Sequence, residues 1–309
     1  MVKILGINRE QNIARTPGLD QAILSLVADE LKRRGFEVEL KTLKELKKED
    51  TADIILNMAR SQEINDILFE KEATSMKMHI MSPSEELCSV GAARADVILN
   101  LARGHEINKI LFESEKQGVC VINPPKSVIL VSNKKELHPM MVEAGVSVPE
   151  ASVFKVGEIS IDDIKEKSVL KAGNRHSIYF VVDVNDKEAF DTAINKYKEE
   201  GIDEVLVQKF VEGKFFKFYA AGDKIFLPKD VEAEMPQDVI AEIKKQIGII
   251  ERITGVYLIG GDLFVNGNDI YFTDVNDWPS YSGAEGVAQE EIAPYIADYI
   301  EKKYQEFKK

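Results

Sequence analysis

The first 125 residues alternate short apolar runs with longer stretches in which apolar residues recur every three or four positions. The run at 2–7 is typical of a β-strand, and residues 18–36 have the spacing of an amphipathic helix that is closed by Gly35. Further runs of the strand type follow at 37–43, 54–56, 97–99 and 118–123. Strands alternating with helices in this way predict an open parallel sheet with right-handed crossovers.

Residues 52–72 and 95–115 are nearly the same sequence and agree at 15 of 21 positions. Each copy has an apolar run, a polar turn and a helical pattern, so it is a duplicated βα unit. Arg60 and Arg103 fall in the turns, at the sheet edge where open parallel sheets bind ligands and next to free N–H groups of a helix. Both are candidate anion-binding residues. The alternative is that the copy only widens the sheet.

The rhythm of the pattern changes near residues 123–133. Beyond this boundary, apolar runs separated by turn residues are typical of antiparallel strands and hairpins, with two helical patterns between them. We predict an N-terminal α/β domain at 1–125, a central part at 126–215 and a C-terminal part at 216–309. The fold class is therefore α/β followed by α+β.

Composition narrows the range of partners. The 309 residues have a net charge of −13, which argues against nucleic acid or an anionic membrane surface. No apolar stretch is long enough to span a bilayer, and the N-terminal run lacks the features of a signal peptide. Cys88 and Cys120 lack a metal-type or disulfide-type pattern, so we expect two reduced thiols in a cytoplasmic protein.

The stretch GGDLFVNGNDIYFTDVNDWPSYSG at 260–283 has the clearest chemistry. The NGND turn at 266–269 predicts a hairpin tip, so Asp262 and Asp274 should lie on adjacent antiparallel strands. Asn276 is two residues from Asp274 and shares its face of the strand. Three hard oxygen ligands that converge in this way predict a Mg²⁺ site.

Two lysines lie on strands that are otherwise apolar. Lys171 ends the run SVLKA, and Lys217 is surrounded by aromatic residues in FFKFYAAG. An ammonium group is costly to bury unless it meets an anion. Together with the candidate metal site, these lysines indicate phosphate binding.

These motifs resemble the ATP-grasp superfamily. The resemblance rests on Lys171, then VLVQKFVEGKFFKFYAAG at 205–222, then the stretch at 260–283, in that order. It extends over the whole chain, with 1–125 as the domain that precedes the ATP-grasp fold, 126–215 as the small central subdomain and 216–309 as the subdomain with the metal site. KFYAAG and DVNDWPSYSG are similar to inositol tris/tetrakisphosphate kinases, and the general arrangement is similar to RimK-type ligases.

The resemblance implies ATP as cosubstrate and Mg²⁺, or alternatively Mn²⁺, bound by Asp262, Asp274 and Asn276. Lys171 and Lys134 would hold the phosphates, and Lys217 would face the transferred phosphoryl group or a substrate oxyanion. The hinge against adenine and ribose would consist of Gln208, Lys209, Phe210, Val211 and Glu212.

Two segments depart from the family pattern. The Gly-rich phosphate flap is reduced to AGNRHSIYF at 172–180, so it either shields the phosphates less well or leaves that role to Arg175 and His176. A His shortly after this lysine is also a feature of the inositol kinases. Pro279-Ser280 stands where the ligases have Pro-Gly, so Ser280 is a candidate contact to the acceptor.

Three functions remain open at this point. The first is a carboxylate–amine or carboxylate–thiol ligase that acts through an acyl phosphate. The second is a small-molecule kinase similar to the inositol phosphate kinases, and the third is a nucleotide-binding protein without catalysis. The expected partner is a small-molecule or peptide acceptor, and a homodimer is compatible with the sequence.

Overall fold

The structure is a computed structural model that describes residues 3–7, 17–41, 54–57, 97–100, 108, 111–112, 115–116, 120–173, 179–183, 185–279, 281, 288–307 and 309. The chain divides into two compact units. The first combines Met1–Lys126, Ala220–Lys224 and Trp278–Lys309, and the second combines Ser127–Tyr219 and Ile225–Asp277. The three-part division expected from sequence stays a prediction.

The first unit contains five short strands in the order β2-β1-β3-β4-β5, and each neighbouring pair is parallel. The strands are β1 (Lys3–Ile7), β2 (Glu37–Lys41), β3 (Ile54–Asn57), β4 (Val97–Asn100) and β5 (Cys120–Ile122). The two copies of the duplicated sequence supply β3 and β4, which are neighbours in register, with Asn57 opposite Asn100. The copies therefore extend one sheet side by side.

Helices α1 (Pro17–Arg33) and α7 (Gln289–Phe307) belong to the same unit and contact each other. The predicted end of α1 is confirmed, because Gly35 has φ 91° and follows the last turn. Arg34 fixes the contact: its guanidinium donates to Asp298 at 2.5 Å and to Glu301 at 3.1 Å. Cys120 in β5 is a free thiol, and Cys88 lies outside the described residues.

The second unit begins with helices α2 (Pro125–Ser132, which starts at the boundary) and α3 (Lys134–Glu143). Its first sheet is antiparallel, in the order β6-β9-β7-β8. The strands are β6 (Ala151–Lys155), β7 (Ser168–Ala172), β8 (Tyr179–Val182) and β9 (Glu204–Lys209).

One face of this sheet packs on helix α4 (Lys187–Glu199), with Leu170, Val205 and Tyr197 fully buried between them. The Tyr197 hydroxyl donates to Leu170 O at 2.7 Å. Because side chains alternate along a strand, Lys171 and its neighbours in register project from the opposite face.

The second sheet has the order β11-β10-β12-β13. Its strands are β10 (Lys214–Ala221), β11 (Lys224–Phe226), β12 (Leu258–Asn266) and β13 (Asp269–Asp277). Helices α5 (Lys229–Glu234) and α6 (Gln237–Thr254) connect β11 to β12, and α6 ends at Gly255 with φ 70°.

The predicted hairpin is confirmed: β12 and β13 are antiparallel, Asn266 pairs with Asp269, and Gly267 has φ 61° at the tip. The described structure is thus a mixed α/β fold with antiparallel sheets, and the predicted fold class is confirmed to this extent. None of the described helices combines the length and apolar character needed to cross a bilayer.

Candidate active site

A cluster of acidic and amide side chains lies on one face of the β12–β13 hairpin. Antiparallel pairing places Asp262 directly opposite Asp274, and directly opposed residues share a face of the sheet. Asn276, two residues further along β13, shares this face, and its Nδ2 donates to Asp274 Oδ2 at 2.8 Å. The hairpin thus assembles the three predicted metal ligands on one face.

The chemistry of these three side chains fits a hard divalent ion. The Oδ1 atom of Asn276 is buried and accepts no hydrogen bond, and a buried amide oxygen without a partner costs free energy. Carboxylate and amide oxygens are the ligands that Mg²⁺ prefers. Within the described part of the chain no three His, Cys, Asp or Glu side chains converge, so a metal ion at this place needs the Asn276 oxygen beside the two carboxylates.

Lys217 lies beside this cluster on strand β10. Its Nζ is 2.6 Å from Asp262 Oδ1. Burial by itself would lower the pKa of Lys217, but the hydrogen bond and the charge of Asp262 outweigh it, so the pKa is raised. The ammonium group therefore stays charged at neutral pH.

Two further ammonium groups reach β13 from other elements of the same unit. Lys134, the first residue of α3, is only 8% exposed, and its Nζ lies 2.7 Å from Asp274 Oδ1 and 2.6 Å from Val275 O. Lys171 on β7 donates to Thr273 O. The two lysines predicted to bind phosphate thus converge on three consecutive residues of β13.

Lys171 is electrostatically unusual. Burial lowers its pKa from the ordinary 10.5 to about 8; the charge of Lys134 acts in the same direction, whereas Asp274 and Asp262 act against it. Burial disfavours a charged group, and an anionic ligand would favour it. A buried lysine with such a shifted pKa, beside a cavity, marks a candidate functional site.

A shallow cavity, half open to solvent, adjoins these groups. Lys134, Lys171 and Asp274 line it, together with Gln208 from β9, whose side chain is almost fully buried. The rest of the wall is mainly apolar and comes from α3, β9, β13 and the segment before β6: Leu137, Met141, Val148, Leu206, Phe272 and Val275. An apolar slot with a few convergent charges is typical of a site for a small ligand.

The predicted hinge follows the cavity wall along the chain. The N–H of Lys209 donates to Glu150 O at 2.8 Å, and the N–H of Phe210 donates to Lys167 O at 2.9 Å. The Lys209 ammonium pairs with Glu166 at 2.9 Å. Val211 and Glu212 follow these residues, and Glu212 is exposed.

His138 and Thr273 line the cavity and were not among the predicted site residues. His138 lies one helical turn after Lys134, so the i, i+4 spacing on α3 was a signal available in the sequence. Thr273 precedes Asp274 on β13, and no pattern distinguished it.

Five of the predicted residues lie outside the described part of the chain. They are two of the three catalytic candidates, Arg175 and His176, and the three substrate candidates, Arg60, Arg103 and Ser280.

Comparison with known proteins identifies the fold. The D-alanine–D-alanine ligase of Bacillus anthracis in complex with ATP matches 100% of this chain and 99% of its own, with a TM-score of 0.67 and 14% identity. The VanG D-Ala:D-Ser ligase of Enterococcus faecalis has a TM-score of 0.65 and 16% identity, and covers 98% and 99% of the two chains. A RimK domain protein of the ATP-grasp type from Sphaerobacter thermophilus has a TM-score of 0.60 and 15% identity, and covers 96% and 99%.

The chain therefore has the ATP-grasp fold, and the resemblance predicted from its sequence is confirmed. Among curated proteins it is similar to the probable alpha-L-glutamate ligase 2 of Hahella chejuensis, with 24% identity over 210 residues, 61% of this chain and 68% of that protein. No family model matches the sequence.

Proposed function

We propose that this protein is an ATP- and Mg²⁺-dependent ligase that joins a carboxylate to an amine or a thiol through an acyl phosphate. The observation that carries the proposal is the convergence of Lys134 and Lys171 with Asp274 at a single cavity in the second unit. Two cations and a candidate metal ligand beside an apolar slot suit a nucleoside triphosphate.

Lys134 and Lys171 bind the phosphate groups of the nucleotide. Lys134 and Lys171 hold phosphate oxygens, and each exchanges a contact with β13 for a contact with the ligand. The buried Gln208 amide and the apolar wall hold the base. Because the N–H groups of Lys209 and Phe210 are already bonded within the protein, a backbone N–H contact from the hinge falls to Val211, and Glu212 lies toward the ribose.

The β12–β13 hairpin binds the metal ion. Asp262, Asp274 and Asn276 hold Mg²⁺ or Mn²⁺, which supplies charge neutralisation at the phosphates. Lys217, charged and bonded to Asp262, stabilises negative charge that develops at the transferred phosphoryl group or at the substrate.

The reaction that fits this arrangement has two steps. A substrate carboxylate oxygen attacks the terminal phosphorus of ATP, and ADP leaves. An amine or thiol then attacks the acyl carbon, and inorganic phosphate leaves. We assign Arg175 and His176 to the phosphate side and Ser280 to the acceptor side, and the N-terminal parallel sheet with Arg60 and Arg103 to acceptor binding.

Amino acids are the first substrates to try. The similar protein from Hahella chejuensis is named a probable alpha-L-glutamate ligase, and two of the similar solved structures are a D-alanine–D-alanine ligase and a D-Ala:D-Ser ligase. This supports a small-molecule or peptide acceptor and favours ligation over phosphorylation of a hydroxyl group.

The two products of ATP consumption test the proposal. Purified protein is incubated with Mg-ATP and pairs of amino acids or short peptides, and ADP and inorganic phosphate are measured together. A ligase releases both in equal amounts, and only when carboxylate and amine are both present. ADP without inorganic phosphate, with one acceptor sufficient, would identify a kinase and contradict the proposal.

A further inference from the structure

Gln246 is a buried polar residue that the proposed site does not use. It lies in the middle of α6 and is 3% exposed. Its neighbours on the buried face of the helix are apolar, among them Ile243, Ile247 and Ile250. A primary amide in such surroundings costs free energy unless its polar atoms are bonded, so its partners indicate why this helix carries it.

Both ends of the Gln246 amide are bonded to one loop residue. Its Oε1 accepts from the Ser147 N–H at 2.7 Å, and its Nε2 donates to Ser147 Oγ at 3.1 Å. The Nε2 also donates to Glu242 Oε1 at 3.0 Å, one turn earlier on α6. The orientation of the amide is fixed, because a backbone N–H can only donate.

The loop that Gln246 holds is part of the cavity wall. Ser147 O accepts from the Phe272 N–H at 2.8 Å, and Pro149 O accepts from His138 Nε2 at 2.8 Å. Val148, between these two anchored residues, lines the cavity together with Phe272 and His138. Gln246 thus supports one wall of the cavity from a helix that does not itself line it.

We infer that Gln246 is a positioning residue for the nucleotide: it holds Ser147–Pro149 so that the wall formed by Val148, Phe272 and His138 is in place before the ligand binds. The inference rests on the proposed function, since it takes the ligand of this cavity to be ATP. A preformed wall avoids the cost of ordering the loop on binding, so its loss weakens binding without removing any contact to the ligand.

The test compares nucleotide affinity with stability in the full-length protein. Gln246→Met keeps the side-chain volume and removes all three hydrogen bonds. The dissociation constant for ATP with Mg²⁺, measured by calorimetry well below the melting temperature, should rise about tenfold, the equivalent of one to two lost hydrogen bonds. Hydrogen exchange of the Ser147 amide should become faster. Gln237→Met, the same change at the exposed start of α6, should leave both quantities unchanged.

A swapped pair keeps the test decisive if Gln246→Met folds poorly. In the double variant Gln246→Glu/Glu242→Gln, an amide at position 242 donates to a carboxylate at position 246, which still accepts from the Ser147 N–H and hydroxyl. Affinity should return to within about twofold of wild type, whereas Gln246→Glu alone places two carboxylates together and should bind weakly.

Two results would overturn the inference. One is a folded Gln246→Met protein with wild-type affinity for ATP, which would make Gln246 a packing residue only. The other is a swapped pair that binds as weakly as Gln246→Glu alone. Lys171→Met, measured in parallel, separates this inference from the proposed function. If this variant binds ATP as tightly as wild type, the cavity is not the nucleotide site, and the role inferred for Gln246 is wrong as well.

Discussion

At the scale of single residues, the main feature is a pair of lysines, Lys134 and Lys171, that contact neighbouring residues of β13. Lys134 meets a carboxylate directly, whereas Lys171 donates to the backbone carbonyl of Thr273 and has the depressed pKa of about 8. Burial favours the neutral form of Lys171, whereas a bound phosphate group favours the protonated form. Phosphate binding at Lys171 should therefore be strongest while the ammonium group is protonated.

This asymmetry predicts a pH dependence of ATP affinity. Lys171 is charged below its folded pKa and neutral above it, so affinity should be constant below about pH 8 and fall as pH rises through that value. The dissociation constant should rise by up to about tenfold per pH unit above the break. Calorimetric titrations of ATP between about pH 6.5 and 9.5 measure this pH dependence.

Lys171→Arg is the matched control for this break, because a guanidinium stays charged throughout the range. In this variant the profile should lose its break near pH 8. A break that persists in Lys171→Arg would assign the titration to another group.

The candidate metal ligands make a second prediction at this scale. Asp274→Asn removes one negative charge from the set, so the Mg²⁺ concentration that supports half-maximal ATP binding should rise about tenfold. Asp269→Asn, on the same strand but exposed at the hairpin tip, should leave it unchanged. Equal Mg²⁺ dependence in both variants would remove Asp274 from the metal set.

Strand alternation and turn chemistry were sufficient to predict the face shared by Asp262, Asp274 and Asn276, because both are local properties. The cavity wall was harder to predict. Val148 and Phe272 are 124 positions apart in the chain, and the Ser147–Phe272 hydrogen bond that joins their segments is a tertiary contact. The supporting role of Gln246 depends on the same tertiary contact, so no pattern along α6 marks it.

At the scale of elements, the β12–β13 hairpin depends on a glycine. A Cβ added at Gly261 would lie 2.1 Å from Asp274 O and 2.7 Å from Phe218 Cε1. The two strands approach so closely at this point that only glycine fits, and the approach sets the position of the carbonyl beside the metal set.

Gly261→Ala should therefore lower the free energy of unfolding by about 3 kcal/mol. Gly248→Ala, in the interior of α6 with no atom within 4 Å of the added Cβ, should raise it by about 0.5–1 kcal/mol. Urea unfolding of both variants measures the difference. Equal stabilities would mean that the close approach of the strands is not a constraint.

At the scale of the whole molecule, the order of the motifs along the chain was sufficient to predict the ATP-grasp fold. The grouping of segments into units was not predictable, because residues 220–224 and 278–309 join the N-terminal segment through contacts that have no local signal. The duplicated sequence has a structural outcome in the described residues, two neighbouring strands in register. Arg60 and Arg103 of the two copies remain candidates for binding the acceptor.

Thermal unfolding with and without ATP and Mg²⁺ shows whether the cavity at Lys134, Lys171 and Asp274 binds ATP. A ligand at a hundredfold excess over its dissociation constant stabilises the folded state by about 2.7 kcal/mol. We predict a clear rise in melting temperature for wild type and for Lys155→Met, an exposed lysine of the same sheet, and no rise for Lys171→Met. Equal rises in all three proteins, or none in any, would mean that ATP does not bind at this cavity through Lys171.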